Sequence, residues 1–164
     1  MKAHVVNETK YDLNDSSLQK ILNAVVGRLS KSKIRNQKLL KQKSLTLVFL
    51  DSTQMKAINK SFRGKNKPTD VLSFAAIEEN SLGELLFCLD VLKKQAKEQR
   101  HSLDFELCYM LIHGILHLLG YDHELSKKEE MVMFKIQDQL FQQLTAGKIN
   151  LNIGHVNRHR TERS

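Results

Sequence analysis

The sequence predicts a single α+β domain in which a mixed β-sheet of about four strands packs against helices. Three observations lead there. Apolar, β-branched segments of strand length alternate with helix-period segments early in the chain, as strand, helix, strand, helix. Two further strands then follow closely on each other, and a run of helices completes the pattern, which suits segregated helices on a mixed sheet. The length of 164 residues fits one domain, and a hydrophobic fraction of 41% supplies a core.

Residues 3–7 (AHVVN) read as a short strand. Asp15 or Ser16 is placed to cap a helix to about Leu29, with Leu18, Ile21, Leu22, Val25, Val26 and Leu29 on one face. The basic stretch 30–43 is expected to begin as more helix and end as loop. Residues 44–50 (SLTLVFL) have the composition of a buried strand. Asp51 or Ser52 then caps a helix to about Phe62. Residues 63–67 (RGKNK) form a loop closed by Pro68, the only proline, which keeps the residue before it out of the helical region. Strands at 71–75 and 83–89 are close enough to pair antiparallel, through a link longer than a tight hairpin. Asp90 caps a helix to about Arg100. Ser102 caps a long apolar helix to about Leu119, where Gly120 offers the left-handed conformation that ends a helix. Ser126 and Glu129 form a capping box for a last helix to about Leu144. The domain is therefore drawn as residues 1–144, and residues 145–164, which lack periodicity, as a basic and mobile tail.

The formal net charge of +8 is unevenly spread. Seven basic residues and no acid lie from Arg28 to Lys43, and five with no acid from Lys56 to Lys67. Such a surface attracts polyanions, because each phosphate neutralised releases counterions, although charge alone serves a solvated surface equally well. No run approaches the roughly 20 apolar residues of a membrane helix, so no membrane association is expected. The N-terminus turns polar at once and lacks a signal-peptide core, which points to the cytoplasm. Cys88 and Cys108 sit in apolar surroundings without metal-ligand spacing, as reduced, buried thiols do.

Residues 113–123, HGILHLLGYDH, concentrate the chemistry. His113 and His117 are four apart on the predicted helix, so they project from one face within reach of one ion. The helix stops at Gly120, and the turn lets His123 return to the same ion. Three neutral imidazoles leave a fourth tetrahedral position open, as in catalytic zinc sites. One Zn(2+) per chain is expected, and nickel also suits three nitrogens. The HxxxHxxGxxH spacing matches the long zinc motif of metzincin proteases. That motif requires glutamate after the first histidine as general base, and here the residue is Gly114. Glycine accepts no proton and costs a helix about 1 kcal/mol relative to alanine. A small residue is therefore needed there, for close packing or for access of a bulky substrate, and peptide hydrolysis by the protease mechanism is not supported.

HGILHLLGYDH resembles the signature of the YbeY family of bacterial endoribonucleases, and NKSFRGKNKPTDVLSF, residues 59–74, resembles that family's arginine loop and following strand. With the strand beginning at Leu82-Gly83, the likeness spans about residues 44–144. Where the family usually has aspartate after the glycine, this chain has Glu84. The resemblance implies a metal-dependent, single-strand-specific endoribonuclease, a hydrolase of RNA phosphodiester bonds. It implies a role in 16S ribosomal RNA 3′-end processing, ribosome maturation and quality control. Implied partners are single-stranded and ribosomal RNA, the small ribosomal subunit, and a ribosomal protein or GTPase. It also implies catalytic roles for Arg63, His113, His117 and His123.

Residue chemistry is compatible with this. Arg63 is suited to a bidentate phosphate contact that lysine does not reproduce, and Lys65 and Lys67 to general phosphate attraction. Asp70 is expected to hold its loop, pair with Arg63 or support a histidine, and Asp122 to hold the turn. Glu106, two helical turns before His113, is either an acceptor behind an imidazole or an ordinary capping glutamate. Tyr109 and Tyr121 suit base stacking or core packing. Two other functions compete: a non-catalytic ribosome-assembly or RNA-binding factor with a structural zinc, and a metalloprotease, which Gly114 opposes.

Overall fold

In the segment SLTLVFL, alternate side chains turn to opposite faces, and Leu45, Leu47 and Phe49 are fully buried. This strand sits at the centre of the computed structural model, which describes residues 1–146. The strands are β1 (Ala3–Asn7), β2 (Ser44–Leu50), β3 (Val71–Ala75) and β4 (Ser81–Cys88). The helices are α1 (Asp15–Leu29), α2 (Leu39–Gln42), α3 (Ser52–Arg63), α4 (Leu89–Glu98), α5 (Leu103–Leu118) and α6 (Lys127–Ala146). The sheet is mixed, in the order β1-β2-β4-β3. β2 pairs in parallel with both β1 and β4, whereas β3 and β4 are antiparallel. Each parallel pair is joined through helix, as parallel strands require.

The two sheet faces carry unequal loads. Leu45, Leu47, Phe49, Leu85 and Phe87 join the main core with the apolar faces of α1, α5 and α6. On the other side, Met55 of α3 packs with Leu50, Leu72, Leu86 and Cys88 in a smaller cluster. Helix α5 is buried almost all round from Glu106 to Leu116, which a helix sandwiched between sheet and helices must be. Cys88 and Cys108 are free, buried thiols, and burial pushes Cys108 up to about 12.

Several boundaries differ from the sequence expectation. Asn14, not Asp15 or Ser16, caps α1 by accepting from Ser17 N–H. The stretch 30–43 reverses the expected order: α1 ends at Leu29, turns follow, and the short helix α2 comes last, where Leu40 is fully buried. Asp51 makes the capping box with Gln54. Cys88 rather than Asp90 precedes α4, and the Asp90 carboxylate instead accepts from Tyr11 Oη and from Ser52 N and Oγ. Ser126 accepts from Glu129 N–H as expected, but the Glu129 carboxylate engages Arg35 rather than closing the box. Helix α6 continues to Ala146; the expectation of a mobile tail otherwise lies outside the described residues. No helix among the described residues is long and apolar enough to cross a membrane.

Candidate metal centre and RNA groove

Helix α5 places two histidines and its end delivers the third. Ser102 opens the helix by accepting from Phe105 N–H, at 3.3 Å. Leu119 closes it, and Gly120 follows at φ 101°, a left-handed conformation that L side chains rarely adopt. The reversed chain brings His123 back against the helix. His113 Nε2 and His117 Nε2 lie 3.2 Å apart, and His123 Nδ1 lies 3.1 Å from His117 Nε2.

The donor set fits a metal ion. A tetrahedral ion with bonds of about 2.0–2.1 Å spaces its nitrogens by about 3.3 Å, close to the observed separations. Three facing lone pairs at this spacing repel one another unless a cation lies between them. A proton is disfavoured in that place. Burial lowers the pKa of His113, and burial with the charges of His113 and His123 pushes His117 down to about 4. His113 and His117 are therefore biased toward the neutral form that ligates.

Gln137 of α6 sets the orientation of His113. His113 Nδ1 donates to Gln137 Oε1 at 2.9 Å, which leaves Nε2 with its lone pair facing the other histidines. The Gln137 amide is fixed in turn, because its Nε2 donates to Tyr109 O at 3.3 Å. Gln137 has no solvent exposure. Sequence reasoning missed this residue and looked to Glu106 for the same task. Glu106 is indeed buried, but its carboxylate contacts His101.

The turn that carries His123 is braced from the basic stretch. Arg35 makes two hydrogen bonds to Glu129, at 2.8 and 3.0 Å, and its Nη1 donates to Gly120 O at 3.3 Å. Its guanidinium lies 4.7 Å from the Tyr121 ring centroid, and the Arg35 backbone N–H donates to Tyr121 Oη at 3.1 Å. Asn36 Nδ2 donates to Leu119 O at 3.0 Å. Tyr121 is thus a packing residue, while Asp122 holds the turn by accepting from Glu124 N–H at 2.9 Å.

Gly114 answers a packing requirement. A Cβ there would lie 2.7 Å from Leu85 Cδ2 and 2.8 Å from Leu85 Cδ1, on a fully buried leucine of β4. The small residue lets α5 approach the sheet, so close packing rather than substrate access explains it.

A groove of about 1030 Å³ runs past the histidines. Arg63 and Lys65 line it; Lys67 is exposed and does not line it. Arg63 Nη2 reaches Glu124 Oε1 at 2.8 Å, so its partner is Glu124 rather than Asp70. Asp70 accepts from Val71 N–H at 2.8 Å and from Gln95 Nε2 at 3.3 Å, and so holds its loop. The groove continues along α5 to Tyr109, Glu106 and His101.

Residues 4–145 match the family model described as Endoribonuclease YbeY. The chain is 46% identical over 144 residues to an Endoribonuclease YbeY of Bdellovibrio bacteriovorus, covering 88% of this chain and 95% of the relative. It is 36% identical over 146 residues to one of Aquifex aeolicus, covering 79% and 97%. A Thermotoga maritima protein solved in solution superposes with a TM-score of 0.60 at 28% identity, over 88% of this chain and 89% of that one.

Proposed function

This chain belongs to the Endoribonuclease YbeY family, and we propose that it cleaves single-stranded RNA at the centre formed by His113, His117 and His123, in 16S ribosomal RNA 3′-end processing and ribosome quality control. It is an enzyme of RNA hydrolysis. The observation that carries the reading is the convergence of three imidazoles in one groove that Arg63 and Lys65 also line. Three nitrogen donors favour zinc, and nickel suits the same set. The catalytic unit is residues 1–144, working in the cytoplasm on the small ribosomal subunit.

When bound, the ion supplies Lewis acidity toward a phosphoryl oxygen and lowers the pKa of water. The histidines hold it, and Gln137 keeps His113 Nε2 available to it. Arg63 presents donors to the phosphate and opposes charge that builds on phosphorus. To do so it must exchange Glu124 for the substrate, an exchange open to an exposed ion pair. Lys65 adds attraction for the backbone at the same end, with Lys67 outside the groove contributing to the general field.

The test is cleavage of a labelled single-stranded RNA carrying a ribosomal 3′ precursor sequence, by zinc-loaded protein beside an identically purified His117→Ala variant. Cleavage by the parent protein alone is expected. Equal cleavage by both would overturn the three-histidine centre as the site of chemistry. Stoichiometric metal without cleavage by either would turn the reading toward an assembly factor.

A further inference from the structure

The groove has chemically different ends. Arg63, paired with Glu124 next to His123, and Lys65 in the same loop are the only lysine or arginine side chains that line it among the described residues. At the other end stand Glu98, His101, Glu106, Tyr109, Asp138 and Phe141. Glu106 precedes His113 by seven residues on α5, which at 1.5 Å per residue is about 10 Å along the helix. That end is therefore too far to hold the phosphate at the metal centre, yet within reach of a neighbouring nucleotide.

A phosphate is poorly suited to that end, because three carboxylates would repel it. An aromatic face is available instead. The Tyr109 and Phe141 rings meet at 5.1 Å and 78°, and Phe105 and His101 pack against Phe141 at 6.2 and 6.4 Å. His101 is held by the buried Glu106 carboxylate, and Tyr109 Oη donates to Asp138 Oδ1 at 2.9 Å. Aromatic rings fixed in this way offer a stacking surface to any base. The surrounding carboxylates offer acceptors, which suit an exocyclic amino group and oppose the two carbonyls of uracil.

We propose that this end of the groove is a nucleobase subsite, which stacks one base of the bound RNA on the Tyr109–Phe141 wall and favours an amino-bearing base, such as adenine, over uracil. The inference rests on the RNA-cleaving reading and gives that site its sequence preference. The phosphate end grips every RNA alike, whereas the carboxylate end discriminates. Asp138 is exposed and joined to Tyr109, so it tunes the subsite without supporting the core.

The experiment scans a short single-stranded RNA in which one position at a time is adenosine, uridine or abasic. Cleavage is read with zinc-loaded protein, and binding by fluorescence anisotropy with the same oligonucleotides at low temperature, their integrity checked on a gel after each titration. One position, near but not at the cut, is expected to show several-fold loss for uridine and a larger loss for the abasic residue. Phe141→Leu should erase the abasic effect, and Asp138→Asn, which is exposed and safe for folding, should erase the adenosine preference. Cleavage with no position sensitive to base removal would overturn the subsite and leave the RNA-cleaving reading standing. A base-sensitive position in binding, lost in Phe141→Leu but without cleavage by the parent protein, would support the subsite and overturn the cleavage reading. Absence of both binding and cleavage would overturn both.

Discussion

Gln137 Oε1 accepts the Nδ1 proton of His113 at 2.9 Å across the α5–α6 interface, although the two residues are 24 apart in sequence. The contact fixes which nitrogen of His113 faces the other two histidines. It also makes the metal centre depend on the packing of the last helix.

Gln137→Leu should therefore weaken metal binding about 10- to 100-fold, the usual effect of losing a partner behind a ligating histidine. It also leaves a buried imidazole N–H without an acceptor, at about 1–3 kcal/mol. Gln137→Glu keeps an acceptor and should retain much more of the affinity. Competition against a chelator measures both. Equal affinities for parent and leucine variant would remove Gln137 from the centre.

Gly114→Ala sets two effects against each other. Alanine favours the helix by about 1 kcal/mol. Its Cβ would meet both methyls of Leu85 below 3 Å, and overpacking a filled core costs about 1–3 kcal/mol. A net destabilisation of about 1 kcal/mol is expected in urea unfolding. A variant more stable than the parent would mean that Leu85 yields freely, and close packing would no longer explain the glycine.

The clustering of His113, His117 and His123 was legible because its signal is local: a four-residue helical spacing, a glycine stop and a third histidine just beyond. Strands β2 and β3 were legible for the same reason, from short apolar runs between polar flanks. Gln137 carries no such mark, since the last helix also offers Gln139, Gln142 and Gln143. Only the packing of α6 on α5 selects it. Arg35 was submerged in a basic stretch that reads as phosphate attraction, whereas the fold commits it to Glu129 and to the turn at Gly120. Glu106 lay on the expected face, but the register along the helix gave it to His101. Local spacing finds the histidine cluster, and the partners that orient its members come from tertiary contacts.

Arg35→Met tests the brace on the His123 turn. Metal affinity should fall several-fold, and Arg35→Lys should restore little of it, because lysine lacks the fork that spans Glu129 and Gly120 O. The ion pair also predicts a pH dependence. Arg35 holds Glu129 below its ordinary value of 4.5. A carboxylate depressed in the folded state stabilises the protein above its unfolded value, and that stability is lost as pH falls through the folded value. The thermal advantage of the parent over Arg35→Met should thus be full at neutral pH and shrink below about pH 4.5, the ordinary value. The same pair pushes the Arg35 guanidinium up, away from this range. An advantage independent of acid pH would exclude the pair as its source.

Arg63 and Glu124, which line the same groove, form an ion pair at 2.8 Å, and both side chains are partly exposed. Exposed pairs contribute about 0–1 kcal/mol, so the contact restrains Arg63 weakly while opposing the approach of phosphate. Glu124→Gln should raise RNA affinity up to about fivefold, a change of about 1 kcal/mol, and the gain should fade at high salt. Arg63→Lys should lower turnover while metal content stays unchanged, since lysine keeps the charge but not the planar fork. Anisotropy with an uncleavable RNA separates the first effect from the second. If Glu124→Gln binds RNA no better, Glu124 does not compete with substrate for Arg63. If Arg63→Lys turns over as fast as the parent, the arginine acts only through its charge.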